Sequence, residues 1–418
     1  MNASLVESEL EPVSGALPGG GSRRLLDAAW SDLATHLDRL GPIPWAASAE
    51  QLIRLLEECG LTGRGGAGFP SARKLAAVAA GKRAVVVANG AEGEPLSSKD
   101  RYLLTHAPHL IFDGLQLLAD AVGAAQAFAY VPQDLIVSLR RTLDGRRGID
   151  HIDVELVAAA DTFISGEETA VASRLSGGLP LPRDKARMVV TAGVRGRPTL
   201  VHNVETLAHL ALAARRGPAW FRSAGTADEP GTFLATIGGG VVHPGVYEFD
   251  YGVPLGALLA AAGGPSTVLQ AVLIGGYHGA WVPWPEAAEV PVSRAGLAEY
   301  GASPGAGVVA ALPMASCGLV QTARILTYLA DESAGQCGPC VNGLPRLAEA
   351  FERIVGKPGW RSDPNALTEV RRMAGLLVGR GACHHPDGTV RLARSALMTF
   401  GKDVEAHLGG GCVAGARR

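Results

Sequence analysis

The stretch Gly63-Arg-Gly-Gly-Ala-Gly-Phe-Pro-Ser-Ala-Arg-Lys74 constrains the rest of the chain most. Its three close glycines, Gly65, Gly66 and Gly68, mark a turn that can take left-handed φ values and come close to a ligand. Pro70 stands where a helix begins, and a helix start behind bared N–H groups suits an anion. Lys74 falls about one turn into that helix, beside the same anion. Gly63, Gly65 and Gly68 also satisfy G-x-G-x-x-G, a pattern with meaning only directly after a β-strand. Here residues 48–60 read as a helix: Ser48 and Gln51 form a capping-box pattern, and Leu52, Ile53, Leu55 and Leu56 supply an apolar face. The loop is therefore a phosphate cradle outside the ordinary dinucleotide-binding arrangement, or a tight interdomain turn.

Beyond this loop the chain alternates strand and helix. The run 83–89 is short and β-branched, as in a buried strand, and ends in the carboxylate-rich turn Gly90-Ala-Glu-Gly-Glu-Pro95. Ligands of open α/β sheets gather at such strand ends. Helices over 110–121 and 133–143 and strands over 127–131 and 152–157 predict a mostly parallel sheet covered by helices. Ser165-Gly-Glu-Glu-Thr-Ala170 opens a further helix with two acids in its first turn. After a linker at 222–231, residues 232–264 read as a hairpin and short helix, a small β-grasp-like module. From residue 319 the periodicity is that of a helical bundle. The ends, 1–40 and 406–418, read as a flexible or helical N-terminal extension and a frayed tail.

Composition narrows the functional classes. A length of 418 residues accommodates about two to four domains. The formal net charge of −2 gives no electrostatic case for nucleic acid. No apolar run reaches the roughly 20 residues of a transmembrane helix, so the expectation is a soluble, cytoplasmic protein. Six cysteines are too few for a disulfide scaffold in a chain of this length, and the spacing of Cys337, Cys340 and Cys383 points to metal. Cys59 and Cys317 read as buried thiols, and His385 as a surface residue.

Taken in order, Gly63–Lys74, Asn89–Arg101, Ile164–Ala170, Pro182-Arg-Asp-Lys185, Pro198–Leu207, His243-Pro-Gly-Val-Tyr-Glu248 and Glu332–Gly343 resemble the NADH-binding flavoprotein (51-kDa, F subunit) family of respiratory complex I and its diaphorase relatives. The resemblance covers residues 40 to 405. It implies an FMN- and NADH-binding α/β domain over 41–225, a ubiquitin-like soluble-ligand-binding (SLBB) β-grasp domain over 230–312, and a helical iron–sulfur domain over 316–405. It implies NADH dehydrogenase activity: hydride passes from NADH to FMN, and electrons leave singly through a [4Fe-4S] cluster. The implied acceptor is a thioredoxin-like [2Fe-2S] subunit or a ferredoxin. Carried over by position, Gly63, Arg64, Gly65, Gly66, Gly68, Lys74, Asn89, Glu92, Gly166, Glu167, His202, Asn203 and Thr206 line FMN. Phe69, Glu94, Phe163, Glu168 and Lys185 line NADH, with Glu94 and Glu168 positioning the nucleotide. Cys337, Cys340 and Cys383 hold metal. No side chain acts as acid or base, because the flavin takes the hydride.

The chain departs from the family pattern in several places. Ala91 stands where the family has an acid, His202 where it has asparagine, and Ser165 where it has cysteine. In the cluster motif Glu332-Ser-Ala334-Gly-Gln-Cys337-Gly-Pro-Cys340, Ala334 replaces the first cysteine. A cubane ordinarily takes four thiolates. The fourth corner is open to His384, Asp331, Ser333, Cys317, Cys412 or solvent. A Cys3His zinc site with His384, or no metal at all, are the rival readings. They correspond to a flavin-only NAD(P)H oxidoreductase, or to a binding or assembly subunit whose redox centres have decayed.

Overall fold

A computed structural model describes residues 22–46, 48–184, 186–356, 363 and 365–414. The first sheet is built from β1 (Val85–Asn89), β2 (Gln126–Val131), β3 (Val154–Ala158) and β4 (Thr199–Asn203). All its pairs are parallel, in the order β3-β2-β1-β4. The valine-rich β1 is buried on both faces, which is why it reads as a continuous apolar run rather than an alternation. Val86, Ala88, Ala129 and Leu200 pack on the Pro108–Ala121 and Val204–Arg222 helices, while Val85, Val87, Phe128 and Tyr130 pack on the Glu168–Leu175 helix.

From β1 the chain winds outward through β2 and β3, then returns to lay β4 on the other side of β1. That reversal leaves a crevice at the carboxyl ends of β1 and β4, where such sheets take their ligands. Register places Asn89 opposite Asn203 there.

The second sheet comprises β5 (Thr232–Gly239), β6 (Gly245–Asp250), β7 (Leu269–Ile274), β8 (Ala280–Pro283) and β9 (Val308–Pro313), in the order β6-β5-β9-β7-β8. β5 and β9 run parallel; the remaining pairs are antiparallel. The Leu255–Ala261 helix covers one face, through Ile237, Val272 and Val282. The other face, with Leu273, Trp281 and Leu312, shares a core with the C-terminal helices. Trp281 is fully buried there. Its backbone N–H donates to Ser395 Oγ (3.0 Å) and its Nε1 to Thr322 Oγ1 (2.9 Å). The helical segment expected over 316–405 is thus helical, but its core is continuous with the sheet before it.

Within the described residues the N-terminal extension carries a helix, Leu33–Leu40, and both ends are docked on the body of the protein. Leu25 is wholly buried, and the N–H groups of Leu25 and Leu26 donate to the Glu248 carboxylate (2.8 and 3.0 Å). Arg24 donates to the Phe221 carbonyl (2.7 Å). The residues from 22 onward are therefore docked, because a buried carboxylate on β6 needs donors and these supply them. At the other end Gly410 and Gly411 N–H groups bond back to His407 and Ala406, and Ala414 is buried. No helix among the described residues is long and apolar enough to cross a membrane.

Candidate functional site

One cleft of 520 Å³ opens where the glycine turn, the carboxyl ends of β1 and β4, the second sheet and the start of the His385–Thr399 helix meet. The turn itself is closed at its base: Gly63 N–H donates to the Phe69 carbonyl (2.9 Å) and Thr62 bridges Pro70. Gly66 (φ 102°) and Gly68 (φ 61°) take left-handed conformations that make glycine necessary. A Cβ on Gly65 would come within 3.3 Å of Asn203 Cβ, so a side chain would fill the floor of the cleft. The preceding Ala49–Cys59 helix, capped by Ser48 Oγ on Gln51 N–H, excludes the ordinary strand–turn–helix reading.

Two asparagines fix the strand ends. Asn89 Nδ2 donates to the Gly166 carbonyl (2.8 Å) and ties the 163–167 turn to β1. Asn203 Nδ2 donates to Asp100 Oδ2 (2.6 Å), while its Oδ1 caps the Glu205 N–H (3.0 Å). Opposite them Glu92 accepts from Ser97 Oγ (2.6 Å) and from the Asp100 and Arg101 N–H groups (3.0 and 2.9 Å). It thereby caps the Lys99–His106 helix, whose start the dipole makes receptive to an anion.

The electrostatics of the cleft rest on groups withdrawn from water. Lys99 is buried, 2.7 Å from Asp100 and 2.9 Å from Glu205. Burial pushes its ammonium down, but the two carboxylates outweigh this and raise it. For Asp100 burial prevails over the Lys99 charge and moves the carboxyl upward. Glu205 is also desolvated, yet Lys99 and His209 hold it at about 2. Burial pushes Glu94 up to about 8, against the opposing N–H bonds from Tyr277 (2.8 Å) and Leu96.

The cleft gathers Gly65, Gly66, Asn89, Glu92, Glu94, Phe163, Gly166, Glu167 and Asn203 from the sequence expectation. Others stand behind it. Thr206 Oγ1 accepts from Arg64 N–H (2.9 Å), pinning the turn to the Val204–Arg222 helix. The Arg64 side chain turns away, to Thr62, the Pro230 carbonyl and the Tyr251 ring. Lys74 pairs with Glu168 (3.0 Å). His202 is buried with Nε2 unbonded, and burial together with the Lys74 charge lowers it to about 3. Phe69 is 41% exposed and lies under Arg73. Gly63 and Gly68 complete the turn without lining the cleft, and Lys185 lies outside the described residues.

Sequence reasoning missed Lys99, Asp100, His278 and Arg294, all of which line the cleft. Lys99 and Asp100 had a signal, since they follow the carboxylate turn directly. Arg294 had none. It reaches in from the second sheet's side, held by Glu229, and donates to the Gly66 carbonyl (3.1 Å). His385 is a correction: it is 3% exposed, because its Nδ1 meets His278 Nε2 (3.0 Å) and its Nε2 the Leu329 carbonyl (2.7 Å).

The cysteine cluster adjoins the cleft. Cys383 lines it, and Phe163 N–H donates to Glu332 Oε2 (2.9 Å), two residues before Ala334. Cys337 Sγ lies 3.8 Å from Cys340 Sγ, and the Cys383 thiol acts electrostatically on Cys340. These three donors suit three corners of a thiolate-bound cluster. Among the described residues no nearby thiol takes the place of Ala334. Cys317 is at the opposite end of the Gly318–Asp331 helix, about 21 Å away at 1.5 Å per residue. His384 faces solvent and pairs with Asp387 (3.2 Å). The glycine cradle, the asparagine pair and a volume within the roughly 300–1,000 Å³ of small-molecule sites fit a flavin nucleotide.

Comparison with known proteins agrees. Residues 56–212 match a family model described as the Nuo51 FMN-binding domain, and residues 320–407 match the NADH-ubiquinone oxidoreductase-F iron-sulfur binding region. An NADH-quinone oxidoreductase F subunit (F 2) of Rhizobium meliloti (strain 1021) is 33% identical over 378 residues, covering 86% of this chain and 89% of that protein. The NAD-reducing hydrogenase HoxS subunit alpha of Cupriavidus necator is 31% identical, covering 75% of this chain and 54% of its own. The crystal structure of an air-oxidized NAD+-reducing [NiFe]-hydrogenase superposes with a TM-score of 0.82 at 31% identity, covering 91% of this chain and 67% of that one. The chain belongs to the family of NADH-quinone oxidoreductase F subunits, as an NADH-oxidising flavoprotein with an FMN-binding region and an iron–sulfur-binding region.

Proposed function

We propose that the cleft is where NADH oxidation takes place, with the flavin phosphate at the glycine turn and the nucleotide on the open side. One observation carries this reading: the glycine turn and the carboxylate turn, separate in sequence, line a single cavity at the strand reversal. FMN, when bound, supplies hydride acceptance, and an iron–sulfur cluster supplies one-electron transfer away from it. The chain's own residues bind, orient and exclude water. The backbone of Gly65, Gly66 and Gly68 would meet the phosphate, with Lys74 kept nearby by Glu168. Asn89, Gly166, Glu167 and Asn203 would face the ring system; Arg64, Thr206 and His202 support them from behind. Glu92 holds the Lys99–His106 helix start in place.

On the nucleotide side, Phe163 offers an apolar wall and Phe69 an exposed ring at the rim. Glu94 holds a proton at neutral pH and so presents an O–H as well as an acceptor. Lys185 is assigned to the pyrophosphate from its sequence motif alone. Cys337, Cys340 and Cys383 would bind the cluster, with Ala334 leaving one iron to a ligand that is not cysteine.

The division into 41–225, 230–312 and 316–405 is proposed with the middle unit as an SLBB-type β-grasp. Its strand order, second-first-fifth-third-fourth with a helix between the second and third, supports that assignment. Relatives are subunits of multi-subunit complexes, which supports a partner redox protein; a thioredoxin-like [2Fe-2S] subunit or a ferredoxin fits the chemistry. Ala334 favours a second reading, in which transfer ends at the flavin. Anaerobic titration with NADH tests the function: the visible flavin band is expected to bleach. Absence of bleaching by NADH and NADPH would reject catalysis, and bleaching without any iron in the protein would favour the second reading.

A further inference from the structure

At the far end of the Gly318–Asp331 helix from the cluster cysteines, two thiols and an imidazole converge. Cys317 Sγ, a ring nitrogen of His407 and Cys412 Sγ all lie within 4.8 Å of one another, the sole such trio of His, Cys, Asp or Glu donors among the described residues. Cys317 Sγ and His407 Nε2 are 3.3 Å apart. A tetrahedral zinc with Zn–S of about 2.3 Å and Zn–N of about 2.0 Å sets such a pair about 3.5 Å apart.

The histidine is oriented for this. His407 Nδ1 sits 2.8 Å from the Val355 carbonyl, which only accepts, so Nδ1 carries the proton. Nε2 is then the acceptor nitrogen, and it points at the Cys317 thiol. Metal-bound histidines are held in this way, with the second ring nitrogen donating to a carbonyl or carboxylate. Cys317 is the N-cap residue of the Gly318–Asp331 helix, which fixes its side chain at the base of that helix. The backbone bonds from Gly410 to His407 and from Gly411 to Ala406 fold the chain back and deliver Cys412. Three protein donors leave the fourth tetrahedral position to water.

We infer that Cys317, Cys412 and His407 form a structural site for a thiophilic divalent cation, zinc by its ligand set. It is separate from the cluster site and fastens the C-terminal segment to the base of the helix that carries the cluster loop. Binding releases the two thiol protons to solvent and leaves the imidazole neutral. Soft thiolates plus imidazole select zinc over the hard cations magnesium and calcium.

The test uses the full chain purified anaerobically, with zinc and iron measured together. One zinc per chain is expected, retained in Cys340→Ser, which disrupts the cluster cysteines. Cys412→Ser and His407→Gln are each expected to lose that zinc while keeping flavin and NADH-dependent bleaching. Loading the zinc-stripped chain with Co2+ alone gives an independent reading: thiolate–cobalt charge-transfer absorption in the wild type, absent in Cys412→Ser. Zinc content unchanged by both substitutions, or no cobalt–thiolate band in the wild type, would overturn the site. So would a Cys317–Cys412 disulfide in protein alkylated anaerobically before mass spectrometry.

Discussion

Among single residues, Glu94 and Ala334 have the most distinctive consequences. Burial raises the Glu94 carboxyl to about 8, far above its ordinary range. Between that ordinary range and pH 8 the native state keeps a proton that the unfolded chain releases. Native stability contributed by this group is thus intact at low pH and falls as pH rises through the window. Glu94→Gln removes the penalty, so its thermal midpoint is expected to exceed the wild type's at about pH 8.5 and to match it near pH 4. Calorimetry at the two pH values checks this, and a gain equal at both would show that Glu94 is not the titrating group. KM for NADH is expected to rise in the same variant, because Glu94 lines the cleft. Ala334 bears on the cluster in the opposite sense: Ala334→Cys supplies the fourth thiolate. The variant is expected to retain more iron through aerobic purification than the wild type, by metal analysis. Equal retention would mean that another donor already fills the corner.

Among the elements, the buried trio of Lys99, Asp100 and Glu205 joins the Lys99–His106 helix to the Val204–Arg222 helix beneath the cleft. Replacing the cation strands two buried carboxylates without their partner. Lys99→Met is therefore expected to cost about 3–5 kcal/mol by denaturant unfolding and to weaken flavin binding. A loss below about 1 kcal/mol would mean that the acids are protonated in the variant at no cost.

These elements also show what a sequence can disclose. The parallel sheet was legible because β1 and β2 are largely apolar runs between helical periods, and the cleft because a turn of glycines and carboxylates follows β1. Cap chemistry at Ser48 was equally local. Contacts formed only by tertiary closure were not legible: Arg294 over the glycine turn, His278 against His385, and the docking of Leu25 on Glu248 each join segments roughly a hundred residues or more apart. His385 read as a surface residue because nothing local announces a partner 107 positions away. The role assigned to Arg64 rested on its place in a motif, whereas its side chain is spent bracing the Tyr251 side of the junction.

Across the whole molecule, the cleft belongs to no single segment. The α/β sheet gives its floor, the turn after β7 and the short Arg294–Leu297 helix give Gly275 and Arg294, and the bend before the His385–Thr399 helix gives Cys383, with Arg391 on that helix. The shared core of the second sheet and the helical segment, with Trp281 bonded across it, keeps those two walls in fixed relation. Cys383 on the cleft wall puts the thiol cluster next to the proposed flavin site, the arrangement an electron path needs. The most direct test is a crystal structure of the protein loaded with FMN and NADH. The flavin phosphate is expected against the backbone of Gly65–Gly68, with the nicotinamide between the flavin and the Glu94 side of the cleft. A flavin bound elsewhere, or a cleft closed by side chains with both molecules in excess, would contradict this assignment.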